Sequence, residues 1–184
     1  LLGHNKGPEA IGITGSLWTF WLHTGRVAEG RRFLERSLAL DSAIDPGLRS
    51  TAENGLGVLN AVLGNSEEAI AAFERAASLK RQSGDMPGLA SILNNLGTLC
   101  TQLGSYDQAN RYFSEALDLL PPNDDRRRAS ILVNLAVIAR ETGNLQQGIQ
   151  LCREALAISR ANGNELAAAM ALHNLGEYLH EASN

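Results

Sequence analysis

The chain has little cysteine: Cys100 and Cys152 are the only two in 184 residues. Two thiols so widely spaced match neither a disulfide framework nor a zinc motif, so a reducing, cytoplasmic setting is expected. Aromatics are scarce, with four Phe, two Trp and three Tyr, too few for a platform of stacked bases. Basic charge is in deficit, 16 Lys and Arg against 20 Asp and Glu, for a net −4. That balance argues against phosphate neutralisation, and no direct nucleic-acid partner is expected. The longest apolar run, Leu166 to Leu172, is seven residues, whereas a membrane span takes about 20, so no membrane partner is expected. No G-x-S-x-G, phosphate-binding glycine loop or triad-like spacing occurs, so neither a catalytic residue nor a cofactor is assigned. The opening Leu1-Leu2-Gly3-His4-Asn5-Lys6 has no Met and no signal-peptide pattern, and a piece of a longer protein is expected.

Glycine, by contrast, is abundant at 18 residues, and its placement organises the chain. Gly25, Gly64, Gly104 and Gly143 follow one another at a near-constant interval of about 40 residues. Each is followed five residues on by Ala or Gly and nine residues on by an apolar side chain. Upstream, Leu56-Gly57, Leu96-Gly97, Leu135-Ala136 and Leu175-Gly176 recur at the same interval. Such self-similarity marks a repeat array. Within a unit the apolar residues have helical spacing on both sides of the central glycine, as in Leu93, Leu96, Gly97 and Cys100, then Ala109, Phe113, Ala116 and Leu117. Two antiparallel helices per unit follow, with the small residues allowing close approach.

The spacing predicts helices at 10–24, 26–41, 46–63, 66–82, 86–103, 106–120, 124–142, 145–161 and 165–181. Asp45, Asp85, Asp124 and Asn164 are expected to N-cap the first helices, and Gly84 and Gly163 to stop the helices before them. Asn65, Ser105 and Asn144, each with Glu68, Gln108 or Gln147 three residues on, are expected to form capping boxes on the second helices.

These residues resemble the tetratricopeptide repeat family. The third unit carries its pattern at Leu96, Gly97, Gly104, Tyr106, Ala109, Phe113, Ala116 and Pro121, and the second at Leu56, Gly57, Gly64, Ala69, Phe73 and Ala76. The fourth unit departs with Ala136, Gly148 and Cys152. The resemblance implies an all-α, right-handed solenoid of antiparallel helix pairs: one domain over 1–184, with repeats at 10–44, 45–84, 85–123 and 124–163 and a half repeat at 164–184. The long period resembles kinesin light chains and bacterial peptide-sensing regulators. The first unit, Gly15-Ser16-Leu17-Trp18 through Leu38, resembles the helical-repeat region of large bacterial ATPase-type transcriptional regulators.

Candidate chemistry is sparse. His173, Glu177 and His180 lie at i, i+4 and i+7, but one helix offers no fourth ligand and the stretch reads as a solvated face. Cys100 and Cys152 sit at core positions. Asp124-Asp125-Arg126-Arg127-Arg128 reads as a helix start whose acids complement the dipole and pair with the arginines.

What remains is the face of each first helix that the core does not use. Asn95 lies two residues from Leu93, about 200° around the helix, and forms a polar stripe with Ser91, Thr98 and Gln102. Asn134 and Asn174 are its equivalents in the next two units. Two roles are open: hydrogen bonding to an extended peptide backbone, or bridging neighbouring helices. The resemblance implies the first, with Asn95, Asn134, Asn174, Thr98, Gln102 and Arg140 as the peptide-binding set. The only lysines, Lys6 and Lys80, lie off this stripe, which argues against a carboxylate clamp. A non-enzymatic module is expected, binding a protein or peptide in a concave groove. The alternative is an intramolecular scaffold or sensor domain of a multidomain bacterial transcriptional regulator, its groove filled by another domain of that protein. Leu172, Leu175 and Leu179 continue the core stripe to where the next turn glycine would fall, so the last helix is expected to keep an apolar outer face that favours self-association or docking of further sequence of the parent protein.

Overall fold

The computed structural model describes residues 6–39 and 45–183. Among them are nine helices and no strand: α1 (Lys6–His23), α2 (Val27–Ala39), α3 (Pro46–Val62), α4 (Ser66–Ser83), α5 (Met86–Gln102), α6 (Tyr106–Leu119), α7 (Asp125–Glu141), α8 (Leu145–Asn162) and α9 (Glu165–Glu181). None is long and apolar enough to cross a membrane. The all-α helical-repeat architecture is as the spacing predicts. Helix ends agree within two residues, except that α1 begins at Lys6 rather than at 10; the expected end of α2 at 41 lies outside the described residues. The chain divides into two compact units, Leu1–Asn95 and Leu96–Asn184.

Six of the helix junctions are built on glycine. Gly25, Gly64, Gly84, Gly104, Gly143 and Gly163 all have φ between 68° and 80°, the left-handed conformation that ends a helix without a Cβ clash. At five of them the next residue's N–H reaches the carbonyl five positions back, as in Ser105 to Cys100 at 2.8 Å and Asn144 to Ala139 at 2.7 Å. This is the Schellman arrangement.

Asp45, Asp85, Asp124 and Asn164 each accept a backbone N–H of the following first turn, from Gly47 and Leu48, Gly88, Arg127 and Ala167 respectively. Lys80 reinforces one junction by pairing with Asp85 at 2.7 Å. The capping boxes are not formed: the side chains of Asn65, Ser105 and Asn144 cap nothing. Asn65 instead donates to Asn60 Oδ1 at 3.2 Å and Asn144 to Thr142 Oγ1 at 3.3 Å. These amides bond back to the preceding helix, and the glycine turn fixes the junction.

In the first unit, Ile11, Trp21, Val27, Leu34, Ala52, Leu56 and Leu59 are buried together. Trp21 and Phe33 stack with ring centroids 5.7 Å apart. Glu53 is buried beneath α4 and paired with Arg75 at 2.9 Å.

In the second unit, Phe113 of α6 is fully buried against Gly97 of α5. A Cβ there would lie 2.5 Å from the ring, so the position admits only hydrogen. The next hairpin reverses these sizes. Ala136 of α7 faces Gly148 of α8, where an added Cβ would meet the Ala136 carbonyl at 3.1 Å, and Cys152 stands in the register of Phe113. The lost ring is replaced from α9: Tyr178, 2% exposed, packs with Ala136, Ile149 and Cys152. Burial pushes the Tyr178 hydroxyl up to about 12 and the Cys152 thiol to about 11.

Candidate functional site

The first helices turn one side to their second helices and leave another to solvent or to neighbouring first helices. In the unit Leu1–Asn95, Asn95 is half-buried and its Nδ2 donates to Asn54 Oδ1 of α3 at 2.9 Å. Its amide therefore bridges two first helices. In the unit Leu96–Asn184, Asn134 and Asn174 are half-buried on α7 and α9, Thr98 is half-buried on α5, and Gln102 is exposed at its end.

Arg140 belongs to a polar chain. Its Nε donates to Glu181 Oε2 at 2.8 Å and its Nη1 lies 3.5 Å from Glu141 Oε1, while its guanidinium stands 5.6 Å from the centroid of the Tyr178 ring. Tyr106 donates to Glu141 Oε2 at 3.3 Å, and desolvation together with that carboxylate raises its pKa. One cation thus ties α7 to α9. Sequence spacing missed this because Arg140 and Glu181 are 41 residues apart and nothing local pairs them.

His173 and Glu177 are exposed and separated by 3.7 Å, an arrangement typical of solvated helix neighbours. Cys100 and Cys152 are buried, and burial raises both thiols, which leaves them poor nucleophiles.

A cavity elsewhere in this unit is not foreseen by the sequence pattern. A cavity of about 480 Å³ lies between α6 and α8 with α7 as its floor. Leu135, Ile138 and Ala139 form the apolar base, and Asn110, Ser114 and Gln147 stand around it. Its polar residues come from second helices, whose outer positions read only as solvated faces in sequence.

The tetratricopeptide repeat model matches residues 48–121 and 127–184. The chain belongs to the tetratricopeptide repeat family. The match takes in α7 and α9 with Asn134 and Asn174, as well as α5. Tetratricopeptide repeats are generally protein-interaction modules and typically non-catalytic. No curated protein matches the chain.

Among solved structures, the TPR-like repeats of a Podosopora anserina protein described as a kinesin light chain align over 98% of this chain and 90% of that one, at 16% identity and a TM-score of 0.75. BtubC (BKLC) from P. vanneervenii aligns over 95% and 83%, at 18% identity and a TM-score of 0.68. Pseudomonas aeruginosa pilF aligns over 95% and 78%, at 15% identity and a TM-score of 0.65. At these identities the likeness shows the repeat fold alone.

Proposed function

We propose that the chain is a non-catalytic protein-binding module that takes an extended segment of a partner on the first-helix face of its Leu96–Asn184 unit. The observation that carries this reading is a half-buried amide at one register of successive first helices, Asn134 and Asn174, turned away from the residues that meet the second helices. An amide both donates and accepts, which matches the alternating groups of an extended backbone. Thr98 and Gln102 extend the polar stripe, and the guanidinium N–H groups that Arg140 does not give to Glu181 and Glu141 serve a partner carbonyl. Asn95 takes the bridging role, in keeping with its bond to Asn54. The long repeat period supports kinship with long-period arrays such as kinesin light chains, and two reduced, buried thiols support a cytoplasmic setting.

The test is selection of peptides from a displayed library, followed by affinity and melting measurements on Asn134→Ala and Asn174→Ala. Each substitution should weaken binding by about 1–3 kcal/mol, with melting recorded alongside so that loss of binding is told apart from loss of fold. A large loss of melting temperature with binding retained would overturn the reading. That outcome would favour the second one, an intramolecular scaffold within a multidomain regulator. The internal bonds Asn95–Asn54 and Arg140–Glu181 support it, since both draw polar groups of this face into the fold.

A further inference from the structure

The cavity over α7 has α6 as one wall and α8 as the other. Side-chain size on α6 opens it. Counted from the turn glycine, Asn110 and Ser114 stand at the sixth and tenth positions of their unit. At those two places α2 carries Arg31 and Glu35, which pair at 3.5 Å, α4 carries Ile70 and Glu74, and α8 carries Ile149 and Arg153. Of these four second helices only α6 has short polar side chains at both positions, and a space of about 480 Å³ lies beside them.

The chemistry of the cavity is one-sided. Leu135 and Ile138 of α7 and Leu151 of α8 supply apolar surface, with Asp107, Asn110 and Ser114 on the α6 side and Gln147 on the α8 side. Among the described residues, none of these four polar side chains has a hydrogen-bond or ion-pair partner. Their acceptor oxygens are therefore open. Asp107 is the one charged residue of the lining, and no Lys or Arg stands with it among the described residues. A partner that covers the cavity takes this carboxylate out of water, which is costly unless a cation meets it. An anion is repelled, and a neutral group leaves the carboxylate desolvated and unpaired.

We propose that this cavity receives a lysine side chain of a partner protein, its ammonium set among Asp107, Asn110, Ser114 and Gln147 and its methylene stem laid on the apolar floor. A lysine ammonium has three donors and no acceptor, which suits a wall of carboxylate, amide and hydroxyl oxygens. Its aliphatic stem covers apolar surface while the charged head stays at the polar rim. One lysine fills only part of about 480 Å³, so the recognised element is a lysine with an apolar residue beside it. The site lies on the second helices and does not depend on the first-helix face proposed above.

The probe is the blocked tripeptide acetyl-leucyl-lysyl-leucinamide, titrated to about 20 mM against the ¹⁵N-labelled chain. Saturable shifts of the Asn110 and Gln147 side-chain amide signals are expected, with those of Asn134 and Asn174 unmoved. Exchanging the probe's lysine for hydroxynorleucine keeps the stem and ends it in a neutral hydroxyl. Binding should then weaken at least about fivefold, and by a similar factor in the Asp107→Asn chain. Asn110→Ile, which installs the residue that α4 and α8 carry at this register, should close the space and abolish binding. Asp107 and Asn110 are exposed, so both variants should melt with the parent. Failure to saturate by about 20 mM, or equal affinity for the hydroxyl analogue or in Asp107→Asn, would overturn the proposal. So would free lysine binding as tightly as the tripeptide, since the site would then take a small molecule and not a partner's side chain.

Discussion

Replacing Gly97 by Ala and Gly176 by Ala should move stability in opposite directions, although both are mid-helix glycines at the same register. An interior Gly→Ala change gains about 1 kcal/mol from helix propensity alone. At Gly97 the new methyl would lie 2.5 Å from Phe113 Cε1, on a ring that is 0% exposed and has nowhere to go. Overpacking of this kind costs about 1–3 kcal/mol, and a rigid, fully enclosed ring belongs in the upper half of that range. The net is a loss of about 1–2 kcal/mol, or about 2–8 °C in Tm for a chain of this length. At Gly176 no atom lies within 4 Å, so the gain of about 0.5–1 kcal/mol should appear unopposed. Thermal melting followed by far-UV circular dichroism reads both. The packing argument also specifies the rescue: Gly97→Ala with Phe113→Leu should be less damaging than the sum of the two, by roughly 0.5–3 kcal/mol. An unchanged or raised Tm in Gly97→Ala, or strict additivity in the double variant, would refute the reasoning.

Two further outcomes follow from the buried groups. Arg75→Ala leaves the Glu53 carboxylate, only 3% exposed, without its partner; the loss should be on the order of 1–3 kcal/mol, below that of a fully enclosed pair because Arg75 is 51% exposed. Adding Glu53→Leu, the residue that α5 and α7 carry at this register, should recover most of it, as urea titration would show. Cys152 and Tyr178 both hold their protons more tightly folded than unfolded, with the thiol raised from 9.0 to about 11 and the phenol from 10.0 to about 12. The folded state then binds more protons at high pH. The contribution is intact below pH 9 and is lost as pH climbs through 11 to 12, at up to about 1.4 kcal/mol per pH unit for each group. Melting from pH 8 upward should show this decline, with a shallower slope from pH 9 to 11 in Cys152→Ala; parallel curves would contradict the assigned cause.

The repeat was legible because its determinants are local and recur. A turn glycine in each of the four hairpins, a small residue facing an apolar one and an Asp or Asn before α3, α5, α7 and α9 are all decided within a short stretch of chain. Side-chain partnerships were less legible. Asn65 and Asn144 occupy the capping position, yet their amides turn back to Asn60 and Thr142, a matter of rotamer and turn geometry that spacing does not encode. Arg140 lies on the expected helix face, but its engagement by Glu181 and Tyr178 depends on α9 packing beside α7. Cys152 stands where the second and third units carry Phe73 and Phe113, a swap that reads as size-compatible in sequence. Only the packing shows Tyr178 supplying the missing ring from another helix. The cavity between α6 and α8 escaped for the same reason, since a concavity arises from the spacing of helices and not from the pattern of either one.

The side-chain amide region of a ¹⁵N-correlated NMR spectrum, recorded with and without a selected peptide, tests the binding face most directly. Asn→Ala variants assign the signals, and the two candidate sites carry different amides: Asn134 and Asn174 on the first helices, Asn110 and Gln147 around the cavity. The account predicts that the Asn134 and Asn174 Nδ2 signals shift on peptide addition while Asn95, held by Asn54, stays in place. Shifts confined to Asn110 and Gln147, with Asn134 and Asn174 unmoved, would contradict it.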